Sequence, residues 1–288
     1  TEIYTLSLHD ALPILSCVTI FPESKKNVLQ YTDLHAASWG INIENTDCTI
    51  ENSIIHNVRL NGIYAKYAKL HVSNSQITNA GNNCVSLVGG THHFVHTTIA
   101  QFYPWKAGAK HALSFTNLED SVIYPLHQAI FENCLITGYN KDEIQGTSYT
   151  PKEGETLPSE AEFNASFKGC LVNIDLGDAM DENDAAKAAR QMFTTSLNET
   201  EAFHQKKKLT TEQQDSIVWG KKNFVHMADG DYLYDFRLDS VSQARGIGLS
   251  APAAIYPLDR LGKPRPSNKP DVGCYQYQAI LKEDEKNK

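Results

Sequence analysis

Several common functional signatures are missing from this 288-residue chain. Its six cysteines never occur as a CxxC pair, which argues against a zinc knuckle or a redox-active dithiol. No apolar run approaches the roughly 20 residues that a membrane span needs. Lysine and arginine number 26 against 34 acidic residues, so the formal net charge is -8 and no basic stripe can neutralise phosphates. The sequence therefore predicts no nucleic-acid partner and no transmembrane span.

What the sequence has instead is a repeat of about 22 residues between positions 40 and 101. Within each repeat, apolar residues alternate with polar ones, and this period of two indicates short strands with one buried face. Three strands per repeat leave no room for a crossover helix, so each strand must pair with its equivalent one coil later, about 4.8 Å away. The fold prediction is all-β, a right-handed parallel β-helix. The apolar columns are Ile41/Ile63/Val85, Ile43/Ala65/Leu87, Ile50/Val72/Phe94 and Ile55/Ile77/Ile99.

A polar column runs beside the apolar ones and contains Asn52, Asn74 and His96. Asparagine tolerates left-handed backbone conformation and bonds to neighbouring backbone groups, so the column predicts a tight inward bend in each coil. His96 is expected to interrupt this asparagine ladder. Replacing Asn74 with alanine should cost about 1 kcal/mol or more if its hydrogen bonds are buried.

The two ends of the chain are distinct from the repeats. Residues 1–14 match the translation of a common sequencing adapter along their whole length, and we exclude them from the fold. Residues 15–234 are predicted to form the β-helix, 235–281 a capping segment and 282–288 a charged tail.

Insertions interrupt the period after Gln101. Two polar or aromatic loops, 102–127 and 139–162, are predicted between coils that otherwise keep register. Alanines at helical spacing, continued by Met192 and Phe193, predict a helical insertion over the solenoid near 178–216.

The C-terminal stretch contains Asp235-Phe236-Arg237-Leu238, Ser242-Gln243-Ala244, Asp259 to Arg265 and Pro270 to Tyr275. These residues resemble the C-terminal signature of surface and secreted right-handed β-helix proteins of Bacteroidetes-type bacteria, the choice-of-anchor Q group. Two residues depart from that signature, Cys274 and Gln276. The resemblance implies a pectin-lyase-like fold and an exported, surface-exposed protein, and it implies no catalytic assignment. A lipid anchor is expected in a segment preceding this sequence. The glycine- and proline-rich segment is expected to cap the last coil and cover its open strand edges.

The outer face of the first strands is the predicted binding face. Aromatic side chains in or beside the two inserted loops can stack on sugar rings, although packing of the loops onto the solenoid explains them equally well; they are Tyr103, Trp105, Tyr124 and Tyr139. A lyase would need a calcium-binding carboxylate cluster plus a base, and a hydrolase two or three carboxylates. Glu44 and Lys66 alone make neither, so no catalytic residue is assigned. The predicted ligand-binding residues are Tyr64, Tyr103, Trp105, Glu44 and Lys66, and the outward columns are Asn42/Tyr64/Ser86/Ser114 and Glu44/Lys66/Val88/Thr116.

The remaining candidates for chemistry are weak. His71 and His93 share an outward column and could share a metal, but no carboxylate falls in that column, and the sequence predicts no metal and no cofactor. Cys134 and Cys170 are expected on adjacent coils, which leaves a disulfide between them open. The acidic stretches Glu119–Asp120 and Asn140–Glu143 are expected to be solvated turns.

Two functions remain open from the sequence. The first is an exported or cell-surface scaffold, monomeric and non-catalytic, that binds a polysaccharide or surface glycan through a loop-walled face. The alternative is a polysaccharide-degrading enzyme, either a lyase or a glycoside hydrolase. Both are expected outside the cell or on the outer-membrane surface.

Overall fold

A computed structural model of the protein describes residues 16–105, 109–175, 191–199, 219–228 and 234–279. Three long parallel sheets dominate these residues. The first sheet contains β1 Val18–Ile20, β4 Ile41–Glu44, β7 Ile63–Lys66, β10 Val85–Val88, β13 Leu113–Thr116 and β18 Ile144–Thr147. The second contains β2 Asn27–Gln30, β5 Asp47–Glu51, β8 Lys69–Ser73, β11 Gly90–Val95, β16 Leu126–Glu132, β19 Phe163–Lys168 and β21 Phe193–Thr194. The third contains β3 Asp33–His35, β6 Ile54–Val58, β9 Gln76–Ala80, β12 Thr98–Gln101, β17 Leu135–Gly138, β20 Leu171–Val172 and β22 Leu197–Asn198.

Smaller elements complete the described part. Two antiparallel hairpins are formed by β14 Leu118–Glu119 with β15 Val122–Ile123, and by β23 Phe224–Met227 with β24 Tyr234–Leu238. A 3-10 helix covers Trp219–Asn223, and a short α-helix covers Ser250–Ile255.

Successive strands visit the first, second and third sheet in turn. Each strand pairs in parallel with its counterpart one coil later, so that Val72 lies opposite both Ile50 and Phe94. All three side chains are fully buried. The predicted all-β fold and the predicted apolar columns are confirmed, and the strand order is compatible with a parallel β-helix-like solenoid.

Stacked phenylalanines fill the core of the later coils. The ring centroids of Phe94, Phe131, Phe167 and Phe193 are separated by 4.9, 4.7 and 4.5 Å, which follows the spacing of the paired strands. The helix prediction is therefore wrong at Phe193, since this residue continues the stack in β21 as part of a further coil. The prediction is also wrong at Leu197–Asn198, which form β22 and pair with β20. Residues 178–190 and 200–216, like residues 1–14, lie outside the described residues.

The polar column does form the predicted left-handed bend. The φ angles are 50° at Asn52, 46° at Asn74, 47° at His96 and 52° at Asn133. His96 therefore continues the bend instead of interrupting it, because its backbone takes the same conformation. The inward orientation is wrong, since Asn74 Nδ2 donates to the carbonyl oxygen of Leu258, 3.0 Å away in the C-terminal segment.

The C-terminal segment covers the outer face of the third sheet over β9, β12, β17 and β20. Outward side chains of that sheet, such as Leu135 and Leu171, are apolar and pack with Phe224 and Phe236 in a second hydrophobic core. Polar contacts add to this packing, because Tyr275 Oη donates to Gln76 Oε1 at 2.8 Å. We expected the segment over the last coil, but its described residues lie along the flank of several coils. The segment thereby shields an apolar outer face that would otherwise be exposed to water.

The sequence analysis did not predict one strand of the first sheet, β18. The 139–162 insertion contains β18, in which Ile144 pairs with Leu113 of β13. Only Ile144 is buried in β18, so the strand lacks the alternation that would have revealed it.

The six cysteines are free thiols, and five of them are buried. Cys134 and Cys170 are neighbours as predicted, with the amide of Cys134 donating to Cys170 Sγ at 3.4 Å. Burial raises the pKa of Cys48 to about 12 and that of Cys274 to about 11, so their thiolates are scarce at neutral pH.

Thiol labelling should therefore separate Cys17 from the other cysteines. We expect a disulfide-exchange reagent to label the partly exposed Cys17 quickly in the native protein, and the other five only on unfolding. Absorbance of the released thiol measures this. A fast-reacting thiol that remains in a Cys17→Ser variant would contradict the burial of the other five.

Candidate functional site

The outer face of the first sheet carries the columns that the repeat predicts. Tyr64 lies opposite Asn42 on one side and Ser86 on the other, and Lys66 lies opposite Glu44. The residues between them are buried, because successive side chains of a strand point to opposite faces. The sequence placed Tyr64, Lys66 and Glu44 correctly on one face.

A hairpin from the 102–127 insertion brings a carboxylate to this face. Asp120 and Ser121, which join β14 to β15, have φ angles of 50° and 64°. Two left-handed residues in succession are what a two-residue hairpin needs in order to match the strand twist. The hairpin thereby presents Glu119, which the sequence predicted to be a solvated turn.

Glu119 ties the hairpin to the sheet through two side chains. Its Oε2 atom accepts a hydrogen bond from Lys66 Nζ at 2.8 Å, and Tyr64 Oη lies 2.8 Å from both carboxylate oxygens. The Lys66 ammonium also lies 4.8 Å from the ring centroid of Tyr124. Only 19% of the Lys66 side chain and 27% of the Glu119 side chain are exposed. Lys66 is thus bound to Glu119, although Glu44 is its neighbour on the adjacent strand.

These contacts fix the protonation states of the cluster. The hydrogen bond to Glu119 raises the pKa of the Lys66 ammonium. Burial, and then the hydrogen bond to Glu119, raises the pKa of the Tyr64 phenol; Glu44 and Asp120 act in the same direction. At neutral pH the lysine is therefore a cation, the phenol is neutral and neither group is a base.

Aromatic rings flank the cluster on the same face. Trp39 meets Tyr64 edge to face, with centroids 6.1 Å apart, and Tyr67 lies 6.2 Å from Tyr124. Tyr67 is 44% exposed, while the other three rings are partly exposed. Trp39 and Tyr67 were not among the predicted binding residues, because they lie at bends outside the repeat columns. Tyr124 was one of the loop aromatic residues expected to stack on sugars.

Tyr103 and Trp105, the other predicted binding residues, form a pair of their own. Their ring centroids are 5.2 Å apart in an edge-to-face arrangement. Tyr103 lies against Gly81, where an added Cβ would be 3.2 Å from its Cε1 atom. Gly81 directly follows β9 of the third sheet, so this pair sits beside the bend that leads toward the first sheet.

The predicted histidine pair is present, but its ring nitrogens have other partners. The rings of His71 and His93 are 5.3 Å apart. His71 Nε2 lies 2.8 Å from Tyr256 Oη, and His93 Nε2 lies 2.9 Å from a carboxylate oxygen of Glu132, which reaches over from a neighbouring column. A metal here would have to displace both partners.

A second acidic residue expected in a solvated turn is fully buried. Glu143 accepts hydrogen bonds from the backbone amides of Asn140 at 2.7 Å and Ala112 at 2.8 Å. Burial raises the pKa of Glu143 to about 8. The polar sequence around it gave no sign of this burial.

The described residues define an all-β, solenoid-like protein with a polar outer face flanked by aromatic rings. No protein-family model matches this chain, and no curated protein matches it either. Among the described helices, none has the length and apolar character to cross a membrane.

Proposed function

We propose that this protein binds neutral glycans on the outer face of its first sheet without cleaving them. The observation that carries the proposal is the hydrogen-bonded cluster of Tyr64, Lys66 and Glu119 with partly exposed aromatic rings beside it. Sugars have apolar ring faces and many hydroxyl groups. Aromatic faces next to fixed hydrogen-bonding groups therefore suit them.

The charge of the face favours a neutral ligand. The three charged residues that raise the pKa of Tyr64 are all carboxylates, namely Glu119, Glu44 and Asp120. The positive charge of Lys66 is already opposed by Glu119. The surplus negative charge would repel an acidic polysaccharide.

The protonation of the cluster supports binding over catalysis. A general base works best with a pKa near the working pH. The pKa values of Lys66 and Tyr64 are instead raised, and both oxygens of Glu119 already accept hydrogen bonds. These groups can hold and orient hydroxyls, but they are poorly placed to remove a proton.

Removing an aromatic ring from this face should weaken glycan binding. We expect Trp39→Ala to raise the dissociation constant roughly three- to tenfold, as loss of one stacking contact predicts. Isothermal titration of the purified protein against soluble xyloglucan, galactomannan and polygalacturonate measures this, with binding expected to the neutral polymers. Tyr31→Ala, at an exposed tyrosine on the bend between the second and third sheets, is the matched control and should bind normally.

The same titrations locate the site. Lys66→Ala should weaken binding, while Trp105→Ala tests the separate Tyr103–Trp105 pair. If Trp105→Ala weakens binding and Trp39→Ala does not, the glycan site lies at that pair and the proposed location is wrong. Binding to polygalacturonate alone would contradict the charge argument.

One observation favours the alternative, a polysaccharide-degrading enzyme. Glu44, Glu119 and Asp120 all act on Tyr64, and glycoside hydrolases use two carboxylates that flank the scissile bond. Release of reducing ends or unsaturated products by the purified protein, abolished in Glu119→Gln, would replace the binding proposal with the enzyme. Binding without any product release supports the scaffold.

We also infer a finer description of the fold and its location. The strand succession through three sheets and the column of left-handed bends support a right-handed parallel β-helix of the pectin-lyase-like type. The resemblance of the C-terminal residues to choice-of-anchor Q proteins supports an exported protein at the extracellular or outer-membrane surface, and we propose that it acts as a monomer. A lipid anchor in a preceding segment belongs to the same proposal.

A further inference from the structure

The outer face of the third sheet carries three potential metal ligands on β6 and on β3, the last strand of this sheet among the described residues. Strand alternation directs Asp33 and His35 outward on either side of the buried Leu34. The pairing of β3 with β6 places His56 directly opposite His35. The three side chains therefore project from one face of two adjacent strands.

The ligand atoms are already close together. Asp33 Oδ1 lies 3.1 Å from His35 Nδ1 and 3.2 Å from His56 Nε2, and one potential ligand atom from each residue lies within 4.8 Å of the others. The two imidazole rings are 4.9 Å apart. Donor atoms at about 2.0–2.2 Å from one ion, at octahedral or tetrahedral angles, are separated by about 3.0–3.5 Å. Both oxygen–nitrogen distances fall within that range.

We propose that Asp33, His35 and His56 bind a divalent transition-metal ion through two imidazole nitrogens and one carboxylate oxygen. This donor set suits zinc, nickel, copper and cobalt, whereas calcium and magnesium prefer oxygen ligands.

The surroundings leave room for the ion. Over half of the Asp33 and His35 side chains is exposed, 56% and 52% respectively, while the neighbouring outward positions in β9 are buried. Three protein ligands leave coordination positions open to water or to a donor atom of another molecule. At the His71–His93 pair, by contrast, each Nε2 already contacts Tyr256 or Glu132.

Zinc titration of the full chain tests the site. We expect isothermal titration of metal-free protein, prepared without a histidine tag, to show one zinc ion per chain. His35→Ala and His56→Ala should each weaken binding by about tenfold or more, and Asp33→Asn should weaken it too. His127→Ala is the matched control, because His127 Nδ1 forms a comparable exposed pair with Glu162 at 2.9 Å but has one imidazole, not two. It should leave the affinity unchanged.

Cobalt gives a readout that does not depend on the heat of binding. The visible spectrum of Co²⁺ bound to the wild type should be lost in His35→Ala and His56→Ala, with far-UV circular dichroism confirming that each variant is folded. An excess of Ca²⁺ should not displace the cobalt. The proposal is overturned if zinc does not bind at about 100 µM, if both histidine variants bind as the wild type does, or if His127→Ala alone weakens binding.

Discussion

Replacing Asn133 with alanine should destabilise the protein by about 3–5 kcal/mol. The side chain is fully buried, its Nδ2 donates to the carbonyl oxygen of Leu249 at 2.8 Å, and its Oδ1 accepts from the amide of the same residue at 2.7 Å. Each buried group left without its partner costs about 1–3 kcal/mol. The φ of 52° adds about 1 kcal/mol, because alanine resists left-handed conformation more than asparagine does.

Two further variants separate these contributions in urea unfolding. Asn133→Gly relieves the backbone strain and lacks the hydrogen bonds, so it should recover about 1 kcal/mol of the loss. Asn52→Ala changes a residue with the same bend geometry, φ 50°, whose side chain makes no hydrogen bond among the described residues, and it should cost about 1 kcal/mol. Equal losses for Asn133→Ala and Asn52→Ala would show that the bonds to Leu249 do not stabilise the fold.

Deprotonation of Glu143 should lower the stability of the folded protein as the pH rises. Its folded-state pKa of about 8 exceeds the ordinary value of 4.5, so the folded protein retains a proton that the unfolded chain releases. This contribution to stability is complete below about pH 4.5 and is lost as the pH approaches about 8. One pKa unit corresponds to about 1.4 kcal/mol. Between about pH 5 and 8.5, we therefore expect the free energy of unfolding to fall by about 4 kcal/mol relative to a Glu143→Gln variant.

The comparison with the variant is essential because buried histidines act in the opposite direction. Burial lowers the pKa of His92 to about 4, so the stability that its neutral ring contributes is lost as the pH falls below about 6.5. That contribution is common to both proteins and cancels in the difference. Glu153→Gln, at an exposed carboxylate of the same insertion, is the control and should follow the wild type. A constant difference between wild type and Glu143→Gln across this range would contradict the raised pKa.

Part of the candidate site follows from periodicity. Tyr64 and Lys66 share the outer face because they alternate with the buried Ile63 and Ala65, and their counterparts one coil away are 22 residues distant. Glu119 could not be assigned in this way. Its contact with Tyr64 spans 55 residues and depends on a hairpin whose position no periodic pattern determines.

The repeat period is a weaker guide to the three candidate metal ligands, Asp33, His35 and His56. His35 and His56 are 21 residues apart, one short of the repeat, because the first coil has a shorter offset in this sheet. Reading the columns at a strict spacing of 22 therefore misses the pair. Asp33 is visible in the sequence only as the residue two positions before His35.

The sequence by itself determined the all-β class, the three strands per coil and the inward columns such as Ile50, Val72 and Phe94. Stacked coils repeat the same local environment, so one buried face per strand leaves a regular trace in the chain. Tertiary structure alone decided where the C-terminal segment lies, that Asn133 bonds to Leu249, and that Glu143 is buried. These contacts join segments that are distant in sequence or belong to insertions. Such segments obey no period, because their positions depend on which outer surface remains to be covered once the coils have stacked.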